Sequence, residues 1–124
     1  MMTRLIVPVV EEKGLDARIS EHFGRAQYFT IIDLDEKGEI IGLKTVSNVG
    51  EHFGGSRYTH DSILDLKPDA IIVYGMGPRG LSSFQSAGVA VLRANSNIVK
   101  ELVAAYVRGE LEELTEGCAG ARHR

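Results

Sequence analysis

The sequence has few of the residues that mark secreted or membrane-embedded proteins. It holds one cysteine, Cys118, in 124 residues. No disulfide can therefore form within the chain, and one chain cannot supply the four thiolates of a cysteine-bound cluster. The thiol can still be free, act as one metal ligand, or belong to a site shared between subunits. The apolar run at residues 5–10 is too short for a signal peptide or a membrane span, which predicts a cytoplasmic protein.

A surplus of positive charge is also missing. The net charge is −3, with both signs interspersed along the chain. A binder of nucleic acid or of membrane surfaces usually has a basic face, so neither is expected as a partner. The apolar fraction of 44% and the length are typical of one globular domain. We predict a domain over residues 1–110 and a flexible tail over residues 111–124.

Signals of catalysis are absent as well. No serine or cysteine lies in a nucleophile elbow. Residues 5–10, which are expected to form the first strand, contain no carboxylate. Two-metal nucleases with a meander-and-crossover fold need a carboxylate on that strand. The glycine-rich stretch at residues 75–80 lacks the GxGxxG and GK[ST] patterns of nucleotide-binding loops. The sequence therefore predicts a non-enzymatic protein.

The apolar pattern predicts an α/β fold with one five-stranded mixed sheet flanked by helices. Strands are expected at residues 5–10, 27–34, 40–46, 70–74 and 89–92. Helices are expected to end near Leu66, at Ala87 and before Gly109, the last of them capped by residues 95–97. The first three strands suit a meander, and right-handed crossovers would add the other two. This predicts the order 3-2-1-4-5 with strand two antiparallel.

The predicted order brings two connections to the same edge of the sheet. Ligands of open α/β sheets bind beyond the carboxyl ends of the strands, where neighbouring connections diverge. In this chain that point lies between strands one and four. Residues 11–26 and 75–80 are therefore expected to face each other across a crevice.

The end of the first connection concentrates functional groups. Residues 19–29, ISEHFGRAQYF, place polar and charged side chains between apolar runs. Such groups are costly in a core and suit a loop site. His22 can be a metal ligand, a hydrogen-bond donor or a solvated residue. Glu21 can support His22, or it can pair with Arg25 or Arg18.

The aromatic and glycine residues near this crevice have two interpretations each. Phe23 and Phe29 suit core anchors better than ligand contacts. The stretch 75–80 joins a strand to a helix start, where free N–H groups and Arg79 suit an anion. The same glycines would also serve a tight turn.

Other candidate metal ligands are weaker. Cys118 and His123 form a soft-ligand pair in the tail, or the thiol there is incidental. The spacing of His52 and His60 fits no common metal-binding pattern.

The stretch SEHFGRAQYF at residues 20–29 resembles the signature of the dinitrogenase iron–molybdenum cofactor family, the NifX/NafY-like domains. The resemblance extends over residues 3–110 and includes the hairpin at residues 33–38. It implies a ribonuclease H-like fold without nuclease chemistry. It also implies binding or carriage of iron–molybdenum cofactor, its iron–sulfur precursor or a related sulfide cluster.

The resemblance implies a site for an anionic metal–sulfur cluster and partners that build or accept it. The expected cofactor-binding residues are Ser20, Glu21, His22, Phe23, Gly24, Arg25, Gly75, Gly77 and Arg79. The expected metal ligands are His22, Cys118 and His123. The second loop, residues 51–60, has fewer histidines than in many members, which argues against ligation there. The alternative is a metal-free interaction or regulatory module that uses the same loops.

Overall fold

The structure, a computed structural model, describes residues 2–48 and 59–115, with the backbone alone for residues 59 and 60. The strands in that part of the chain are β1 Thr3–Val9, β2 Tyr28–Leu34, β3 Ile40–Ser47, β4 Ala70–Val73 and β5 Ala90–Arg93. The α-helices there are α1 Thr59–Leu64, α2 Pro78–Ser86 and α3 Val99–Val107. A short 3₁₀ helix, Gly14–Asp16, follows β1.

The five strands form one sheet in the order β3-β2-β1-β4-β5. β2 runs antiparallel to β1 and β3, whereas β4 and β5 run parallel to β1. The predicted α/β class, strand order and antiparallel second strand are confirmed.

The central position of β1 explains its nearly continuous apolar sequence. Leu5, Ile6 and Val7 have no exposed surface, because helices or connections cover both faces of the sheet. Pro8 lacks an N–H group, yet it is accommodated in the middle of the sheet. β1 pairs with β4 only through Leu5 and Ile6, so Pro8 lies beyond the end of that ladder.

Each face of the sheet has its own apolar core. α1 and α2 cover one face, where Phe29 of β2 packs in the same cluster as Phe84 of α2. α3 and the segment after the 3₁₀ helix cover the other face, where Val7 of β1 shares a cluster with Leu102. The three-layer arrangement leaves the connections at the carboxyl ends of β1 and β4 outside both cores.

A group of hydrogen bonds around Arg4, here called the clamp, lies at the amino end of β1, opposite the connections that follow β1 and β4. The Arg4 guanidinium donates to the Asp33 carboxylate at 2.8 and 3.1 Å and to the Leu66 carbonyl at 2.8 Å. The Arg4 N–H donates to the Asp69 carboxylate at 2.7 Å. One side chain at the start of β1 therefore joins β2 to the connection between α1 and β4.

The start of α3 differs from the prediction. The N-cap residue is Ile98, and no side chain caps the helix. The Asn97 carbonyl accepts from the Ile19 N–H at 2.9 Å, and the Val99 N–H donates to the Ala17 carbonyl at 3.0 Å. Backbone pairing with the segment after the 3₁₀ helix thus fixes the entry to α3, a long-range effect that local cap propensities do not contain.

The chain after α3 returns along the outer edge of β5. The Arg93 N–H donates to the Glu112 carbonyl at 2.7 Å, and the Leu114 N–H donates to the Val91 carbonyl at 2.7 Å. Leu114 is buried in the α1/α2 core. The domain boundary after residue 110 stays a prediction, but packing on the domain continues through Leu114. Residues 116–124 lie outside the described part of the chain.

Candidate functional site

The connections after β1 and β4 enclose a cleft at the carboxyl edge of the sheet. Its volume is about 610 Å³, and its lining residues are Glu21, His22, Phe23, Gly24, Arg25, Gly75, Met76, Gly77 and Gly80. The size is in the usual range for a small-ligand site. The crevice expected from the strand order therefore exists, and the two predicted loops form its walls.

Ser20 gives the first wall its shape. Its N–H donates to the Pro8 carbonyl at 2.8 Å, which attaches the loop to the end of β1. Its hydroxyl donates to the His22 carbonyl at 3.0 Å and accepts from the His22 N–H at 3.3 Å. Ser20 is buried and does not line the cleft, so it positions the loop rather than the ligand.

Phe23 anchors this loop in the core and also borders the cleft. Its ring centroid lies 5.4 Å from that of Phe29 and 5.5 Å from that of Phe84, the second contact being edge-on. The side chain is 8% exposed. Tilted and edge-on aromatic pairs stabilise beyond their buried area. Phe23 thus fixes the backbone of the neighbouring exposed residues.

The polar side chains of the first wall are exposed. Among the described residues, Glu21, His22 and Arg25 form no side-chain hydrogen bond or ion pair, so the predicted pairings of Glu21 are not formed there. Arg18 instead lies against Glu11, with Nε 3.1 Å from Oε2. That hydrogen bond lowers the pKa of Glu11. The imidazole and the Arg25 guanidinium are thus available to a ligand.

The second wall ends at the start of α2. Gly77 is the N-cap residue and has no side chain to cap the helix, and Pro78 follows it. The first N–H groups of a helix have no partner inside the helix, and the positive end of the helix dipole lies there. This end of α2 therefore presents hydrogen-bond donors and partial positive charge at the cleft.

Close packing does not require glycine at Gly24 or Gly77. A Cβ atom added at Gly24 or Gly77 would meet no heavy atom within 4 Å. Gly77 has φ −63° and ψ 158°, angles that any residue adopts. At Gly80 the Met76 sulfur would lie 3.2 Å from such an atom, so a larger residue there would require the Met76 side chain to shift. Gly24 and Gly77 keep the cleft open without being needed by the backbone.

The remaining predicted residues lie away from the cleft or outside the described ranges. Arg79 is exposed in the first turn of α2 and does not line the cleft. Cys118, His123, His52 and the His60 side chain lie outside the described part. Within residues 2–48 and 59–115, no three side chains of histidine, cysteine, aspartate or glutamate lie close enough to hold a metal ion together.

A second pocket lies on the other side of the same loop. Its lining residues are Val10, Arg18, Ile19, Ser20, Glu21, His22, Tyr74 and Asn97. Glu21 and His22 line both pockets and so separate them. Tyr74 was predicted only as the end of a strand. Burial raises the pKa of its phenol, and the Glu21 carboxylate raises it further.

Glu21→Gln is expected to lower the pKa of Tyr74, because it removes the negative charge that opposes the phenolate. An NMR titration of the Tyr74 ring measures the change, and Glu12→Gln is the control. Because folding raises this pKa, protonated Tyr74 stabilises the folded state below about pH 10, the ordinary tyrosine value. This contribution to stability is lost as the pH rises through the pKa of Tyr74 in the folded protein. An unchanged pKa in Glu21→Gln would mean that the two side chains are not neighbours.

Asn48 holds the first wall from the end of β3. Its side-chain amide donates to the Ala26 carbonyl at 2.7 Å and to the Gly24 carbonyl at 3.3 Å. Its N–H donates to the Gln27 carbonyl at 3.0 Å. Sequence reasoning missed this residue, since an asparagine after a strand carries no signal for a contact more than twenty positions away.

The fold and the cleft define a one-sheet α/β protein with an open cleft at the carboxyl ends of β1 and β4. The model of the family described as "Dinitrogenase iron-molybdenum cofactor" matches residues 4–109. The chain belongs to this family, as the resemblance at residues 20–29 predicted. No helix in the described ranges is long and apolar enough to cross a membrane.

Relatives with similar sequence or structure cover most of the chain. The uncharacterised protein MJ0580 of Methanocaldococcus jannaschii is 32% identical over 98 residues, which are 77% of this chain and 82% of that protein. The Thermotoga protein TM1290 has a TM-score of 0.73 at 27% identity, covering 94% of this chain and 97% of its own. The apo form of the orange protein from Desulfovibrio gigas has a TM-score of 0.74 at 20% identity, covering 94% and 96%. The last of these similarities shows a shared fold.

Proposed function

We propose that the cleft binds an anionic metal–sulfur cluster and that the protein carries this cluster without transforming it. The cluster would be iron–molybdenum cofactor, its iron–sulfur precursor or a related sulfide cluster. Membership of the iron–molybdenum cofactor family supports the chemical class. The proposed partners are proteins that build or accept the cluster, and the proposed location is the cytoplasm.

The observation that carries this proposal is the pair of open glycines, Gly24 and Gly77. Neither is required by close packing, yet both line the cleft. Side chains at these two positions would project into unoccupied space. Their absence gives a bulky inorganic ligand access to backbone N–H groups, as in other anion sites at helix starts.

The charges of the cleft also favour an anion. The start of α2 presents partial positive charge, and Arg25 is a full positive charge in the lining. Glu21 opposes them, but it also faces the second pocket, where its carboxylate acts on Tyr74. His22 lies between the two pockets and is the proposed metal ligand within the described residues. Arg79 is not among the lining residues, so it would contact only a ligand that extends beyond the cleft.

The other parts of the proposal follow the family resemblance. The strand order supports a ribonuclease H-like fold as part of the proposal. A carrier role fits β1, which has no carboxylate for two-metal catalysis. Ligation by Cys118 or His123 remains part of the proposal and concerns residues outside the described ranges.

Anaerobic reconstitution with iron, sulfide and molybdate tests the function. The full-length protein is expected to retain metal in a fixed ratio and to show visible absorption. Arg25→Gln should weaken retention, whereas Lys37→Gln at the tip of the β2–β3 hairpin should not. The site is wrong if retention survives in the triple variant His22→Ala, Arg79→Ala, Cys118→Ala. A colourless protein that co-purifies with another protein would support the metal-free interaction module instead.

A further inference from the structure

The two edge strands of the sheet differ in whether another described segment covers their outer side. Residues 112–114 form backbone hydrogen bonds with β5 and cover its outer edge. β3 has eight residues, and among the described residues it pairs with β2 alone. An uncovered edge strand presents N–H and C=O groups that can pair with another chain.

Exposed apolar side chains collect around this open edge. Six large apolar side chains are exposed within the described ranges, and four of them lie on or beside β3. These are Ile40, Ile41, Leu43 and Val107. Soluble monomers rarely leave such side chains grouped, and a grouped patch indicates an interaction surface.

A β-bulge puts the patch on one face of the sheet. Leu34 of β2 pairs with Ile40, and Asp33 pairs with Gly42, so Ile41 is the extra residue. Ile40 and Leu43 consequently share the face covered by α3. A groove on that face is lined by Ile40, by Leu15 and by Val107 of α3. The patch is therefore continuous from the edge of β3 to the end of α3.

We propose that β3 pairs antiparallel with β3 of a second copy of this chain, about a two-fold axis at Gly42. With Ile41 counted as a bulge, this register places Ile40 opposite Leu43 of the second copy. Both belong to the same face, as directly opposed residues of an antiparallel pair must. The two five-stranded sheets become one continuous sheet.

The charges beside the patch fit the same register. Glu39 and Lys44 are exposed, and neither forms an ion pair with another described residue. By alternation both lie on the face opposite Ile40. The two-fold axis brings Glu39 of each copy next to Lys44 of the other copy, which makes two equivalent ion pairs. A surface that complements itself in both apolar and charged positions fits an isologous dimer.

Sedimentation equilibrium of the full chain over a concentration series tests the proposal. The wild-type protein is expected to reach twice the monomer mass of 13.5 kDa. Leu43→Lys should leave a monomer. Glu39→Lys or Lys44→Glu alone should weaken association by about tenfold, because two symmetry-related pairs become repulsive. The double variant Glu39→Lys, Lys44→Glu should restore association.

Controls separate the interface from the fold. Glu113→Lys makes the same charge change on an exposed residue beside β5, at the other edge of the sheet, and should not alter association. Thermal unfolding of each variant verifies that it folds. Amide exchange in β3 should slow with rising concentration in the wild type and not in Leu43→Lys.

Two results would overturn the proposal. One is a wild-type monomer at millimolar concentration, which would mean that β3 is not an interface between copies of this chain. The other is a dimer that neither Leu43→Lys nor the single charge reversals weaken, which would place the interface elsewhere.

Discussion

Gly77→Asp is expected to reduce the affinity of the cleft for an anionic cluster by about a hundredfold, because a full negative charge would lie about 5 Å from the ligand. A Cβ atom at this position meets no heavy atom within 4 Å, and the backbone angles of Gly77 are open to any residue, so we expect the fold to accommodate the substitution. Binding of tetrathiomolybdate, a soluble anionic metal–sulfur probe, measures the effect in the full-length apoprotein. Reconstitution with iron, sulfide and molybdate then repeats the comparison with an assembled cluster.

Gly77→Asn is the matched control for this charge. Asparagine and aspartate have nearly the same volume, and both cap a helix well. Either residue should accept the first N–H groups of α2 and raise the free energy of unfolding by a few tenths of a kcal/mol relative to glycine. The difference in probe affinity between the two variants therefore measures the effect of the added negative charge. Equal affinities for the probe would mean that the anion does not bind at the start of α2.

Phe23→Ala is expected to lower the free energy of unfolding by about 3 kcal/mol, the lower end of the range for a buried aromatic side chain. The ring packs against Phe29 and Phe84, but it also borders the open cleft, so part of the vacated space would be open to water rather than a sealed cavity. Urea denaturation measures the loss. Because the same ring holds the first wall, cluster retention should fall together with stability.

Phe23→Leu keeps most of the apolar volume and is expected to cost about 1 kcal/mol. It should also preserve cluster retention if the ring acts only as an anchor. Retention lost in Phe23→Leu with stability kept would indicate a direct contact between the ring and the ligand. A loss below 1 kcal/mol in Phe23→Ala would contradict the anchoring role.

The fold was predictable because its determinants are local. Residues 5–10 are almost wholly apolar, which identified the central strand, and residues 35–38 carry the turn between β2 and β3. The rule for crossover handedness then left few strand orders. The cleft followed from that order, since connections at the carboxyl edge must lie together.

The finer geometry of the site was not predictable because it depends on distant contacts. Asn48 holds carbonyls of the first wall, and burial and the Glu21 carboxylate together raise the pKa of Tyr74. Arg79 was expected beside the anion, but it lies in the first turn of α2 and is not a lining residue of the cleft. Which residues of a helix face a neighbouring loop depends on how the helix packs in the fold, and the local sequence does not show this.

The clamp around Arg4 is remote from the cleft, which allows the loop at the cleft to open while the start of β1 stays folded. Its hydrogen bonds to Asp33, Leu66 and Asp69 close the amino edge of β1, at the end of the sheet opposite the cleft. The bonds of Ser20 and Asn48 at the cleft can therefore break without loosening the clamp. Native-state hydrogen exchange should show low-energy local opening of residues 20–26, while the amides beside Arg4 exchange only through global unfolding.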